Sequence, residues 1–301
     1  MESNIFKTSL NKFENLNLTE LNSKASLLKR IDRKFLLTSK EFKSILEDLK
    51  KDFRVLEISW KRVFDYYNVY MDTEDHLFYK QHQEWLNPRT KIRTRLYKDA
   101  DIAFFEYKHK LDGITRKYRY EFPVMEHWIM TKEKRRFFEW IWQSIHDWKK
   151  APKIFPAIQT TYKRITLVSK VWEERLTIDF SIKTKNIRNK FQEEVDLKNL
   201  VIIEWKSIGK KSKTLDLMKK HKIPQARGCS KYSLGVIYSG LAEKYDRFVN
   251  TMKKIKEIRV ETLWNRRREQ NMKKFDETTQ FIRKDLQKVS FINKFKKTRL
   301  I

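Results

Sequence analysis

The sequence predicts an α+β protein: an antiparallel sheet wrapped into a barrel with a charged lumen, helices packed outside, and a basic helical tail. Three observations predict it. Six segments alternate apolar and polar residues with a period of two, the pattern of a strand with one buried face. Their polar positions hold mainly Lys and Arg, with a few carboxylates. Between them run stretches whose apolar residues recur at helical spacing, available to cover a sheet.

In order along the chain, residues 1–26 are polar and read as a loosely packed lead-in. Arg33 to Leu37 reads as a strand. Thr38 or Ser39 then caps a helix to about Lys51, with Phe42, Ile45, Leu46 and Leu49 on one side. Strands follow at Phe53–Ile58 and Phe64–Met71, and a short helix from Glu74 to Leu86 stops before Pro88. Arg89 to Phe122 is β, broken near Asp99-Ala100-Asp101 and Leu111-Asp112-Gly113. Thr131 to Trp148 is a helix with Phe137, Phe138, Ile141, Trp142 and Ile145 together. Ala157–Ser169, Glu174–Ile182 and Leu200–Lys206 are strands, and Leu215–His221 and Ser230–Tyr238 are helices. In the tail, Leu241, Tyr245, Phe248, Met252, Ile255, Ile258 and Leu263 keep roughly helical spacing.

The charges on the strands carry the argument. Alternate side chains share a face, so Arg89, Lys91, Arg93 and Arg95 lie opposite Thr90, Ile92, Thr94 and Leu96. Glu106, Lys108 and Lys110 oppose Phe105 and Tyr107; Lys117, Arg119 and Glu121 oppose Tyr118, Tyr120 and Phe122. Arg164 opposes Ile165 and Leu167; Arg175, Thr177 and Asp179 oppose Leu176, Ile178 and Phe180; Glu204 and Lys206 oppose Val201, Ile203 and Trp205. One solvated sheet face would explain any single strand. Taken together, rows such as Arg89-Lys91-Arg93-Arg95 repel themselves. They make sense in a wet lumen normally filled by a polyanion.

Composition narrows the partner. Of 301 residues, 68 are Lys or Arg and 39 Asp or Glu, a net charge of +29, which implies nucleic acid, an anionic membrane or a phosphate-rich molecule. With only five glycines there is no G-x-G-x-x-G loop, and Gly209-Lys210-Lys211-Ser212 lacks the upstream glycine of a P-loop. The lone Cys229 excludes an intrachain disulfide and a Cys-rich zinc site, and six histidines form no H-E-x-x-H. No apolar run approaches the ~20 residues that span a bilayer, and residues 1–22 lack the apolar stretch of a secretory signal. The expectation is a cytoplasmic protein. Residues 240–301 hold 18 Lys/Arg and 8 Asp/Glu, a surplus of 18 − 8 = 10 positive charges. They read as amphipathic helices on the barrel, or as an arm for an acidic membrane face or a membrane-protein partner. Arg266-Arg267-Arg268 with Lys273-Lys274 is too short for a nucleic-acid patch.

These strand signatures resemble the VTC (vacuolar transporter chaperone) polyphosphate polymerase domain of the CYTH/triphosphate tunnel metalloenzyme superfamily. The matching pieces are Leu28-Lys29-Arg30-Ile31-Asp32-Arg33-Lys34-Phe35, Tyr70-Met71-Asp72-Thr73, Lys91-x-Arg93-x-Arg95-x-Tyr97, Glu106-x-Lys108, Lys117-x-Arg119, Tyr162-Lys163-Arg164, Arg175-x-Thr177-x-Asp179, Glu204-x-Lys206 and Ser230-Lys231-Tyr232. Each is weak alone; in this order across residues 28–238 they are specific. Asp32 stands where the wider superfamily has E-x-E-x-K, which favours a polymerase-like over a hydrolase-like member. The resemblance stops near residue 240, giving a lead-in (1–26), a tunnel domain (27–239) and an extension (240–301).

The resemblance implies an eight-stranded antiparallel tunnel that moves the γ-phosphoryl of ATP onto inorganic polyphosphate and releases ADP, with Mn²⁺ or Mg²⁺ as cofactor. It implies that Lys34, Arg93, Arg95, Lys108, Lys117, Arg119, Arg164, Arg175, Lys206 and Lys231 line the tunnel. Arg93, Arg95, Lys108, Lys206 and Lys231 would act directly on the transferring group. Glu204 is the expected metal carboxylate, with Asp179 and Glu106 as weaker candidates. Two other readings stand beside it: a triphosphate hydrolase in the same tunnel, and a non-catalytic polyanion or nucleic-acid binder. The last predicts basic residues on loops or one outer face with aromatics between them, not alternating along strands, so no specific nucleic acid is expected.

Overall fold

The computed structural model describes residues 6, 8–24, 31–171, 173–209 and 212–260. Twelve strands form one sheet. They are β1 (Asn15–Leu16), β2 (Ile31–Thr38), β3 (Phe53–Leu56), β4 (Phe64–Asp72), β5 (Arg89–Tyr97), β6 (Ile102–Leu111), β7 (Ile114–Phe122), β8 (Phe155–Ser169), β9 (Glu174–Asn186), β10 (Val195–Asp196), β11 (Leu200–Ser207) and β12 (Gln225–Ala226). The main path runs β12-β2-β11-β9-β8-β4-β5-β6-β7, with β3 on β8, β10 on β9, and β1 pairing β3 in parallel. Every other ladder is antiparallel.

The expected count of eight strands is therefore corrected to twelve. Among the described residues no ladder joins β7 to β12, so hydrogen bonds do not close the sheet into a barrel. The sheet is nevertheless strongly curled. Five steps separate β2 from β5, about 24 Å in a flat sheet, yet Lys34 of β2 and Lys91 of β5 line one pocket. A register shift in β8 at Thr161/Lys163, opposite the left-handed Ser181 of β9, adds to the bend.

Helices cover the convex face where the alternation predicts them. Helix α1 (Leu18–Lys24) precedes β2, and α2 (Ser39–Leu49) follows it. Thr38 caps α2: its hydroxyl accepts from Glu41 N, and Glu41 accepts from Thr38 N, a full capping box. Phe42, Ile45 and Leu46 of α2 pack on Phe35, Ile165, Ile178 and Trp205. A short helix, α3 (Leu77–Gln83), follows β4. Helix α4 (Lys132–Ile145) lays Phe138, Ile141 and Trp142 on Ile92, Phe105 and Tyr107, with Leu96 packed at the edge. Trp140 and Trp148 stay exposed. Helix α5 (Lys213–Lys220) adds Leu215 and Met218 to the α2 side.

Among the described residues, α6 (Lys231–Tyr238) lies on the concave face, and the helical segment 249–260 adds Ile255 and Ile258 to the same cluster. In α6, Gly235 sits so close to β8 and β9 that a Cβ there would come 2.4 Å from Ile158 Cγ2 and 2.6 Å from Thr184 Oγ1. This contact explains why the concave face is not charged throughout: Leu36, Tyr162, Ile182 and Ile202 share it and bury Cys229 and Leu234.

The lead-in departs from the expectation of loose packing. It is packed, since Phe6, Leu10, Phe13 and Leu16 are buried, and the Phe6 ring lies 5.0 Å from Phe42 and 5.1 Å from Phe180. Four apolar residues among polar neighbours too few to set a period gave no strand or helix signal. At the other end, packing continues past residue 239. Residues 249–260 are helical, with Phe248, Thr251, Ile255 and Ile258 buried, and the compact unit runs to Ile258. Leu28-Lys29-Arg30, the Lys210-Lys211 pair, Leu263, Arg266-Arg267-Arg268 and Lys273-Lys274 lie outside the described residues. Among those described, no helix is long and apolar enough to cross a membrane.

Candidate active site

Three carboxylates of the concave face are each gripped by cations from neighbouring elements. Register does this: antiparallel pairing sets Arg93 and Arg119 directly across from Glu106, Arg164 across from Asp179, and Lys34 across from Glu204. Glu106 is fully buried. Arg93 donates to its Oε2 through Nε and Nη2 at 2.7 and 2.6 Å, while Lys117 and Arg119 reach Oε1 at 2.9 and 3.0 Å. Asp179 takes a two-pronged pair from Arg164 at 2.5 and 2.7 Å and a contact from Lys231, the first residue of α6. Glu204 pairs with Lys34 at 3.1 Å and Lys206 at 2.5 Å, and Lys206 also reaches Asp32 at 3.4 Å.

These partners overcome burial, which on its own would raise a carboxyl's pKa. Against that penalty, Arg93 and Arg95 hold Glu106 far below the ordinary carboxylate range. Arg164 and Lys231 bring Asp179 down to about 2, and Lys34 and Lys206 keep Glu204 well below its usual value.

Arg95, Lys91 and Lys108 have no ion pair with a carboxylate among the described residues. Arg95 is buried on neutral partners, donating to Asn68 Oδ1 at 2.9 Å and Tyr162 Oη at 3.0 Å. Lys91 donates to Ser230 Oγ at 3.0 Å, and Lys108 has no ion pair among the described residues. Register again supplies the reason: Lys91 sits directly across from Lys108, and Lys108 directly across from Lys117, three lysines in one rung. Arg175 stands across from Lys206 in the same like-charged way. Like charges in direct opposition are destabilising in a sheet. Burial, then Arg93, Lys34 and Arg89, pushes Lys91 down to about 7. Arg93 and then burial lower Lys108 well below the usual lysine range.

All ten cations and three carboxylates named from the sequence thus lie on strands or helix ends of this face. Glu106 gathers Arg93, Lys117 and Arg119; Asp179 gathers Arg164 and Lys231; Glu204 gathers Lys34 and Lys206. Lys91 was legible only as part of a motif, and its partner Ser230 lies 139 residues away. Asn68, Tyr70 and Tyr162, which orient the arginines, carry no charge signal in the sequence, although Tyr162 adjoins a quoted motif. The face opens into a pocket of about 780 Å³ lined by Lys34, Arg89, Lys91, Cys229, Ser230 and Arg247 among others.

The VTC domain profile matches residues 29–239, more than half of the chain. The chain belongs to the VTC domain family. Among solved structures, this VTC domain is similar to a candidate adenylate cyclase from Bacillus halodurans, with 15% identity, 68% of this chain and 96% of that one covered, and a TM-score of 0.44. A candidate adenylate cyclase from Vibrio parahaemolyticus shares 10% identity over 68% and 97%, TM-score 0.37. A protein from Pyrococcus horikoshii shares 12% over 65% and 91%, TM-score 0.33. No curated protein matches the chain.

A divalent metal fits this VTC domain in one way only. Among the described residues no group of three or more His, Cys, Asp or Glu side chains is placed to hold an ion. Mg²⁺ or Mn²⁺ arriving on a phosphate keeps several waters and needs one or two carboxylates. Of the three gripped carboxylates, Glu106 and Asp179 are sealed at 0% and 2% side-chain exposure, while Glu204 keeps 24%. Asp32, across from Lys206 on the same face and lining the same pocket as Lys34, keeps 46%, so Glu204 and Asp32 are the carboxylates with room for a further ligand, and Glu204 is the one named from the sequence.

Proposed function

We propose that this VTC domain is an ATP-dependent polyphosphate polymerase, transferring the γ-phosphoryl of ATP to the end of an inorganic polyphosphate chain and releasing ADP. The observation that supports this most is the unneutralised charge. Lys34, Lys91, Arg93, Arg95, Lys108, Lys117, Arg119, Arg164, Lys206 and Lys231 outnumber Glu106, Asp179, Glu204 and Asp32, and the least compensated lysines, Lys91 and Lys108, sit across from each other in one rung. Such a site lacks its counter-anion, and a chain of phosphates supplies one.

In this reading a terminal oxygen of the polyphosphate attacks the γ-phosphorus of ATP, and the bond from that phosphorus to the β,γ-bridging oxygen breaks. The electron pair leaves with ADP. Catalysis is then positioning plus neutralisation of charge on phosphate oxygens. Arg93, Arg95, Lys108, Lys206 and Lys231 are the side chains for that role, guanidinium forks matching phosphate edges and lysines acting as point charges. The acceptor is already deprotonated near neutral pH, so no general base is needed. Glu204 would hold a divalent metal, which would supply further neutralisation of phosphate charge. Hydrolysis would require activation of water, and Glu106, Asp179 and Glu204 are committed to cations and held too acidic to serve as bases.

The test is incubation of purified protein with ATP and Mn²⁺ and separation of products on a gel. A phosphate ladder with ADP supports the polymerase. Free phosphate or pyrophosphate without a ladder means hydrolase, and unchanged ATP means a binding protein.

A further inference from the structure

Beyond the lysine rung, the pocket mouth carries a second cationic group. Arg89 lies two residues outward from Lys91 on β5, directly across from Lys110 of β6. Next to it stands Trp85, 60% exposed, with one guanidinium over its ring from Arg89 at 4.3 Å and another from Arg247 at 3.1 Å. Trp85, Arg89 and Arg247 all line the same pocket as Lys34 and Lys91. Arg89 and Arg247 have no carboxylate partner among the described residues. Arg247 lies beyond the matched span 29–239, on the segment that packs back onto the domain.

The geometry points to this Arg89–Trp85–Arg247 group, with Lys110, as a distal phosphate subsite that engages polyphosphate chains longer than a triphosphate. The proposal rests on the polyphosphate reading of the inner site. The one indole positions both guanidinium groups, and apart from the Arg89 Nη1 contact to Leu86 O at 3.5 Å their N–H groups can serve phosphate oxygens. With guanidinium groups already stacked on the indole, it is a poor platform for a nucleobase. Like charges crowd here: burial and then Arg89 bring Arg247 down to about 10, and burial and Arg89 lower Lys110 even though Asp32, in the lining of the same pocket, opposes this. The Arg89–Lys110 rung lies about 7 Å outward from the Lys91–Lys108 rung, and Arg89 about 13 Å from Arg93. A triphosphate seated at Arg93 ends before it; a longer chain leaving through the mouth crosses it.

The experiment uses the full chain, without ATP turnover or metal. Affinities for tripolyphosphate, for a linear polyphosphate of several tens of phosphates, and for ATP are measured by calorimetry at 0.15 M salt. The proteins are the wild type and the double variant Arg89→Ala with Arg247→Ala. The expected result is a loss of more than tenfold for the long chain, since each charge-assisted contact is worth about that much or more. Tripolyphosphate should weaken less than threefold, because about 13 Å exceeds the ~8 Å screening length at that salt. Equal losses for both ligands, or no loss for either, overturn the subsite. A loss confined to ATP overturns it in favour of a nucleoside contact. Wild-type protein that binds no polyphosphate at all refutes the reading beneath it, a failure visible without any variant. Arg247→Gln alone carries the same expectation, at roughly half the logarithm of the loss, should the double variant not fold.

Discussion

Lys91 offers the sharpest handle on the site, because its charge is suppressed by the same crowding that a polyanion would relieve. Free, it titrates at about 7 rather than the usual lysine value of 10.5. A bound phosphate chain favours the protonated form, so the bound lysine moves back upward. The sign follows. Below about 7 the lysine is charged with or without ligand, and binding moves no proton. Between about 7 and the bound value, binding takes up a proton, so affinity falls as pH rises. One lysine limits the slope to tenfold per pH unit, so from pH 7 to 9 the loss is up to about a hundredfold, roughly 2.7 kcal/mol. Lys108, also depressed, adds to it. The ligand's own last proton also titrates in this range, so the protein's share of the slope is read as the difference between wild type and Lys91→Met with the same ligand. Calorimetry of tripolyphosphate at pH 8 and 9, in buffers of different ionisation heat, reads both affinity and protons taken up. Lys91→Met should flatten the slope by one unit while leaving affinity at pH 9 within a few-fold of wild type. The same shift makes the ligand-free protein gain stability as pH rises from about 7 towards 10.5, where the unfolded chain holds the proton more firmly. A pH-independent affinity between 8 and 9 with no proton uptake would refute the reasoning.

Glu204→Gln removes the proposed metal carboxylate, frees Lys34 and leaves Lys206 with Asp32. Metal-dependent turnover should collapse while metal-free polyphosphate affinity holds or tightens, and near wild-type turnover would refute the metal assignment. Arg93→Ala with Arg95→Ala should do the opposite to binding, lowering affinity more than tenfold without metal; unchanged binding would remove both from the site. Gly235→Ala drives a methyl into Ile158 and Thr184, which are short branched side chains on strands, so it should cost about 1–3 kcal/mol and shift Lys231 off Asp179, lowering turnover; thermal melting at wild-type temperature would count against the close packing. Truncation after Gly240 deletes buried Phe248, Ile255 and Ile258. At about 1.5–3 kcal/mol each this rivals the 5–15 kcal/mol stability of a whole domain, so the product should not fold; a cooperative melt within a few degrees of the full chain would contradict it.

Much of this was legible because strand alternation is a strict period of two. On β5 the sequence alone separates Ile92 and Leu96, which lie under α4, from Arg93 and Arg95, which are buried on the other face. Cross-strand register was not legible, and it decides the chemistry. Whether Lys108 faces Glu106 or another lysine depends on a pairing that no local pattern fixes, and the observed one sets three lysines side by side. The concave aromatic and aliphatic patch was hidden for a related reason: Leu36, Tyr162 and Ile202 occupy positions that alternation assigns to charge, and they are apolar because α6 lands on them. The packed segment 241–258 carried helical spacing, which left open whether it packs on the sheet or forms an arm.

The most direct test of the central claim follows the γ-phosphoryl itself. With ATP labelled on that group and Mn²⁺ present, each ADP formed should be matched by one label in acid-precipitable chains that an exopolyphosphatase degrades. ADP matched by free labelled phosphate, or label released as pyrophosphate, would contradict the polymerase account.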